Sequence, residues 1–420
     1  MMQLLSCSFR LRLAVKRGKC EKVKQLIEKE VDINKQDVKG RTVLMNAAAK
    51  GHVDVARLLI DKGANINAQD KNGVTALMLA SVYGGDIRLA EKVFSILMNY
   101  YWEDLEYGLP AMKGNLDMVK LLLQYKADVN LQDHKGKTAL TVAVTTHNID
   151  IAKELLHNNA DANLTFTVEL INLKGSVVRC LKGITPLIAT CYFGYLEMAK
   201  VLLGHGADPN IKSEMDSPAY SEIFMATERK RRKEYSEIAK LLIKSGMDMK
   251  MTLYKKGTPL IRAADEGETE LVDLCLQYGA DINAQDEDGV TALMKAAEDL
   301  DKEHMEIVRS LIDNNADLEI QDNDKQTALM YACNRPAVGK VKLLLKHGAL
   351  VDVKDKNGRT ALMNTAADAV GFKEQERTEV VKALIENGAN INLQDNDGKT
   401  ALQLSSYSEI ALALKQTEVK

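Results

Sequence analysis

The feature that most constrains this chain is a phrase that returns at a fixed interval. TVLM begins at Thr42, TALM at Thr75, Thr291, Thr327 and Thr360, TALT at Thr138, TPLI at Thr185 and Thr258, and TALQ at Thr400. The steps from Thr42 to Thr75, from Thr258 to Thr291 and from Thr327 to Thr360 are each 33 residues. A period of roughly 20–50 residues marks an array of small supersecondary units, so the chain is counted in repeats and not in globular domains. Other steps are one unit plus an insertion: 36 residues from Thr291, 40 from Thr360 and 47 from Thr138. The 63-residue step from Thr75 predicts a hidden degenerate unit near 99–113, and the 73-residue step from Thr185 predicts another near Ser217. With a capping unit over 1–41, repeats over 42–399 and a second capping unit over 400–420, about twelve units account for the sequence.

Residue chemistry gives each unit its shape. The Thr hydroxyl is a helix N-cap, accepting a bond from a backbone donor that a helix start leaves open. A short helix A follows and ends at a Gly nine residues on, as at Gly51, Gly194 and Gly267. Helix B comes next; in VDVARLLIDKG, Val53, Val55, Leu58 and Leu59 form one apolar stripe at helical spacing. The chain then needs a left-handed residue, supplied by Gly63, Gly206, Gly246, Gly279, Gly348 and Gly388 and by Asn159 and Asn315, with Lys126 as a departure. Asp-x-x-Gly recurs between units at Asp37/Gly40, Asp70/Gly73, Asp133/Gly136, Asp286/Gly289, Asp355/Gly358 and Asp395/Gly398, while Lys325 takes the Gly place after Asp322. This pattern predicts a tight β-turn, because Asp bonds its own turn backbone and Gly accepts positive φ. Helix pairs this short cannot bury an apolar face alone. They must stack into an all-α repeat solenoid of helix-turn-helix units joined by short β-hairpin turns.

These residues resemble the ankyrin-repeat family, whose unit is a β-turn plus two helices of 33 residues with a T-P-L-H-x-A signature. Residues 42–73 are similar to one complete unit. The family's His is Met45, Met78, Met294, Met330 and Met363 here, or Ile188 and Ile261, so apolar packing is expected in place of the inter-repeat hydrogen bonds that His implies. The resemblance implies a non-enzymatic protein-binding scaffold, adaptor or effector whose partner lies on the concave face formed by hairpin tips and the open side of helix A. An alternative is a dedicated inhibitor or chaperone of one enzyme or toxin in the same cell. Carried over by position, the face holds Leu79, Val82, Tyr83, Tyr192 and Phe193 toward the N-terminal side. Toward the C-terminal side it holds Arg262, Asp265, Glu266, Lys295, Glu298, Asp299 and Tyr331, a mostly charged group with an acidic excess. The abundance of Lys, Asn and Ile resembles arrays from AT-rich bacteria or large viruses.

Insertions locate what this array does differently. In the one at 164–180, Phe166, Val168 and Leu170 alternate with Thr165, Thr167 and Glu169. This is either a β-hairpin finger offering Phe166 and Val168 to a partner, or a loop folded back on the array. Others fall between helices A and B at 227–235, 300–304 and 369–377; Glu228 and Glu234 flank the basic run of the first, which favours a solvated helical extension. The irregular 99–113 stretch carries the sole tryptophan, Trp102, beside Tyr100, Tyr101 and Tyr107. Two readings stand there: an interface hot spot, or aromatics repacked over a damaged junction.

Composition excludes several other classes. Lys plus Arg number 56 and Asp plus Glu 59, a net charge of −3 that disfavours nucleic acid and leaves a protein as the expected partner. The six cysteines contain no Cys-x-x-Cys pair, which fits reduced thiols in a cytoplasmic setting, including a host-cell cytosol. No run of 18 apolar residues appears, so no membrane span is expected, and Ser and Arg interrupt the opening MMQLLSCSFRLRLAVKRG too early for a signal peptide. The seven histidines occupy repeat positions without metal-ligand spacing, and no phosphate-binding glycine loop is present. No cofactor and no metal are expected, and a monomer is favoured.

Overall fold

The computed structural model describes residues 2–82, 116–171, 177–214, 219, 232–252, 257–298, 302–335, 337–367, 374–405 and 408–418. Local structure follows the capping chemistry. The hydroxyls of Thr42, Thr75, Thr138, Thr185, Thr258, Thr360 and Thr400 each accept from the N–H three residues on. Thr327 also starts a helix, but its Oγ1 is buried without a hydrogen-bond partner. The expected left-handed positions are left-handed, including the departures: Lys126 has φ 62°, Asn159 65°, Asn315 64° and Lys325 60°.

The turns form as the Asp-x-x-Gly pattern requires. Asp70 Oδ1 accepts from the N–H groups of Asn72 and Val74 at 2.8 and 2.9 Å, and Gly73 N–H closes the turn on Asp70 O at 3.0 Å. Gly136 shows why a side chain is excluded: beyond its φ of 76°, a Cβ there would stand 2.6 Å from Thr165 O of the next rung.

Stacking is recorded by a hydrogen-bond ladder. Two compact bodies carry the repeats, Met1–Ser245 and Gly246–Lys420. Each is an all-α repeat solenoid. In the first, the N–H of Lys71 donates to Lys39 O (3.1 Å), that of His134 to Asn72 O (2.9 Å) and that of Thr167 to Lys135 O (2.9 Å). In the second, Asn323 donates to Asp288 O (2.9 Å), Lys356 to Asp324 O (2.9 Å) and Asn396 to Asn357 O (3.0 Å). Loop amides add inter-repeat bonds, such as Gln36 Nε2 to Gln69 O (3.0 Å) and Asn65 N–H to Asn34 Oδ1 (2.7 Å). Inter-repeat hydrogen bonds are therefore present, carried by the turn backbone and by Asn and Gln side chains. The methionines at the family's His position pack in the core as expected, with Met45 and Met294 1% exposed, and their Sδ atoms also accept the N–H of Thr42 and Thr291 at 3.4 Å. Burying a side chain of this size contributes about 1.5–3 kcal/mol against about 1 kcal/mol for a hydrogen bond, so apolar stacking dominates and the ladder sets register.

The ladder shows which described turns are neighbours. Turn 133–136 bonds directly to turn 70–73, and Ala76–Ser81 packs on both Ala139–Thr145 and Leu116–Gln124. The Thr75 and Thr138 repeats are neighbours, Leu116–Gln124 is helix B of the former, and residues 83–115 fall between its two helices. The degenerate unit expected near 99–113 lies outside the described residues. Around the other expected unit, Glu214 N–H donates to Lys182 O at 3.1 Å and Arg232–Lys244 packs on Leu196–Leu203, while Ser217 itself lies outside the described residues.

The 164–180 insertion forms an antiparallel hairpin, β1 (Phe166–Ile171) and β2 (Val177–Ile184), with Phe166 opposite Ile184 and Val168 opposite Leu181. Its base belongs to the core. Phe166 is 2% exposed and Val168 1%, with Leu181 and Ile184 also buried. Alternate strand residues face opposite sides, and these occupy the inner side, so the expectation that Phe166 and Val168 meet a partner is corrected.

Candidate protein-binding surface

In the N-terminal body the helix-A face is built around the Thr185 repeat. Thr185 Oγ1 accepts from Ile188 N–H (3.2 Å), Pro186 occupies the first helical turn, and Gly194 at φ 70° ends Pro186–Phe193. Tyr192 and Phe193, at the last turn, are half-buried. Their rings meet edge-to-face with centroids 5.3 Å apart, Phe193 stacks on Tyr195 at 5.4 Å, and Tyr195 lies 4.0 Å from the His147 ring of the preceding repeat. Tyr195 and Tyr235 are buried beneath, and the Tyr235 hydroxyl donates to Tyr192 O at 3.3 Å. Each such ring pair adds about 0.5–1.5 kcal/mol beyond area burial. The cluster is thus held rigidly from below while two aromatic rings stay partly open. Leu79 and Val82, at the end of Ala76–Ser81, are half-buried as well. Tyr83 and Trp102 lie outside the described residues.

The C-terminal body presents charge, much of it already committed. Arg262 is 6% exposed and ion-paired with Asp265 (3.1 Å) and, more closely, with Glu266. It organises that face from within, which corrects its placement among the exposed binding residues. Lys295 reaches Asp265 at 3.9 Å, and Arg335 reaches Glu298 at 3.8 Å. The Tyr331 hydroxyl donates to Asp322 Oδ2 at 2.8 Å; burial first, then that bond and nearby carboxylates, hold the phenol protonated well above its ordinary range. The expected acidic excess is therefore largely compensated among the described residues, Asp299 lying outside them.

Several contributors escape the sequence reading. Tyr195 stands where His52 stands in the Thr42 repeat, directly after the helix-A terminating Gly, a positional signal that was available. Arg335 carried none. Two buried cations are a further case: Arg377 Nη1 donates to Thr365 O (2.5 Å) and Ala367 O (2.6 Å), and Lys340 Nζ to Ala296 O (2.7 Å). Each sits at the C-terminal end of a helix A that lacks a glycine terminator, where a cation also complements the helix dipole.

Among the described residues no group of three His, Cys, Asp or Glu side chains is arranged to hold a metal ion, and no helix is long and apolar enough to cross a membrane. Burial pushes the Cys275 and Cys333 thiols up to about 12.

Comparison with known proteins agrees with this geometry. An ankyrin repeat protein of fowlpox virus, FPV244, is 28% identical over 236 residues, covering 50% of this chain and 34% of its own length. The ankyrin repeat protein YahD of Escherichia coli is 26% identical over 195 residues, 42% of this chain and 96% of its own. The ankyrin repeat protein nuc-2 of Neurospora crassa is 28% identical over 189 residues, 44% of this chain but 16% of its own. The chain thus spans a minor part of two of these three relatives. The sequence profile described as "Ankyrin repeats (3 copies)" matches residues 11–101, 109–213, 223–322 and 300–395. Capped helix pairs, laddered turns and a profile match over most of the sequence lead to one assignment: the chain belongs to the ankyrin-repeat family.

Proposed function

We propose that the chain is a non-enzymatic adaptor or effector that captures a protein partner on the helix-A face of its N-terminal body. The observation that carries this reading is the Tyr192–Phe193 pair, two half-open aromatic rings fixed by Tyr195, His147 and Tyr235. Rigid aromatics bind at low entropic cost, and burying one at an interface centre is worth about 2 kcal/mol or more. Leu79 and Val82 extend the apolar face; the C-terminal body, taken by itself, offers a charged surface of Lys295, Asp265, Glu266, Glu298 and Tyr331, of a kind that sets specificity more than affinity. The fowlpox virus and Escherichia coli relatives are consistent with a chain delivered into or expressed in a host cell.

The test is quantitative affinity capture from candidate host lysates with the full chain and with a Tyr192→Ala, Phe193→Ala variant of matched circular dichroism. The reading expects a defined partner retained by the first and lost by the second. Identical retention by both eliminates the face.

A further inference from the structure

Two histidines of adjacent repeats meet at the ends of their B helices. Ile149–His157 and Leu196–Leu203 are helix B of the Thr138 and Thr185 repeats, and they pack on each other. His157 is the last residue of the first helix, and His205 follows the second by two positions. Stacking of the repeats brings the two imidazoles together, with ring centroids 5.1 Å apart and planes at 87°. Both residues are exposed.

Hydrogen bonding fixes which nitrogen each ring offers. His157 Nδ1 lies 2.8 Å from Lys153 O, and His205 Nδ1 lies 2.8 Å from Val201 O, in each case the carbonyl four residues back. A carbonyl only accepts, so each Nδ1 carries the hydrogen and each Nε2 of the neutral ring keeps its lone pair. Among the described residues neither Nε2 has a hydrogen-bond partner. This is the condition of a metal-ligating histidine, whose other nitrogen donates to a carbonyl or carboxylate that sets the tautomer and holds the ring. The spacing fits as well. With nitrogen–metal bonds of about 2.0–2.1 Å along each ring axis, two imidazoles on one tetrahedral ion have centroids about 5 Å apart. The carbonyl ends of two helices lie beside the pair, and their partial negative charge favours a cation. Of the lysines one turn back, Lys200 is held by Glu197 at 2.7 Å, and Lys153 is followed directly by Glu154.

We infer that His157 and His205 bind one zinc ion, or a late divalent transition metal of similar chemistry, through their Nε2 atoms, with water completing its coordination. Two protein ligands, against the three or four of a catalytic or structural centre, make this an exchangeable surface site. The ion bridges two repeats, so its binding stabilises the junction that also carries the contact between His147 and Tyr195. The site lies on helix B, and it neither supports nor needs the proposed helix-A face.

Zinc chloride titration of the full chain, followed by calorimetry and by proton–nitrogen NMR of the histidines, tests the site. The expected result is two imidazoles whose Nε2 resonances shift together as one equivalent of zinc is bound. Those two resonances should be the ones missing from His157→Gln and from His205→Gln. Either variant should lose at least about tenfold in zinc affinity, since losing even a partner that supports a ligand costs that much. His134→Gln, at an exposed turn apex, should bind as the parent does. Zinc should also slow hydrogen exchange over 149–160 and 196–207 in the parent and not in the doubly substituted chain. The inference is overturned if no pair of imidazoles responds, if a single one responds alone, if zinc is held only by thiols and leaves both resonances in place, or if both folded variants keep the parent affinity. The paired shift is read on the unsubstituted chain, so it decides the matter even where a variant folds poorly.

Discussion

Phe166→Ala is the perturbation whose outcome most sharply separates a core hairpin from a projecting finger. Phe166 is 2% exposed, pairs with Ile184 across the hairpin, and sits beside turn 133–137, where Thr167 N–H donates to Lys135 O at 2.9 Å. Truncating a buried Phe typically costs about 3–5 kcal/mol, transfer and cavity terms together. Val168→Ala, which removes two buried methyl equivalents, costs about 1.5 kcal/mol. Deleting 165–178 restores the 33-residue step, and a projecting finger would let that leave stability intact. With Phe166 and Val168 gone and Leu181 and Ile184 left without their cross-strand partners, the deletion should instead cost about 5 kcal/mol or more. Urea unfolding followed by far-ultraviolet circular dichroism measures the loss. Hydrogen exchange should place it in the Thr138 and Thr185 repeats, because stability in a stacked array is shared between nearest neighbours. Lys182→Ala, on an exposed side chain of β2, is the control and should stay within about 0.5 kcal/mol of the parent. A Phe166→Ala loss below about 1 kcal/mol, or a deletion no less stable than the parent, would refute the reasoning.

Three further outcomes follow from particular residues. Arg377→Met leaves the carbonyls of Thr365 and Ala367 without their buried donor, and denaturant titration should show a loss of about 2–4 kcal/mol assigned by hydrogen exchange to the C-terminal repeats. Lys126→Gly relieves a φ of 62° and should raise the unfolding midpoint by the equivalent of about 0.5–1 kcal/mol. Thiol titration of the native chain near pH 8 should label half-buried Cys7, Cys20 and Cys180 and spare Cys275 and Cys333, whose thiols are held protonated up to about 12; rapid labelling of either buried cysteine would contradict its packing.

The repeat was legible because its chemistry is local. A Thr cap, an Asp-x-x-Gly turn and a left-handed Gly act within a few residues, so their spacing reports structure directly. Neighbour relations are not local. The 63-residue step after Thr75 does not say which turns touch, and the bond from His134 N–H to Asn72 O, which makes turns 70–73 and 133–136 neighbours, is visible only in the structure. Alternation in 164–170 announced a strand correctly but could not say which face turns inward, and the apolar set of Phe166 and Val168 went to the core, where burial is worth most. The methionines filling the family's His position read correctly as packing residues, whereas the inter-repeat bonds are made by the turn backbone and by Asn and Gln of the loops, residues that a sequence reading assigns to turns. At the proposed binding face, helix-A positions pointed to Tyr192 and Phe193, but the support from His147 and Tyr235 comes from other repeats and leaves no mark in the local pattern.

The central claim, that a protein is captured on the helix-A face of the N-terminal body, is tested most directly by hydrogen exchange of the full chain with and without its captured partner. The account predicts slowed exchange over 185–195 and the adjoining turn 133–137, with Tyr192→Ala, Phe193→Ala abolishing both the protection and the complex. Protection confined to other segments, or a complex that forms with exchange in 185–195 unchanged, would contradict it.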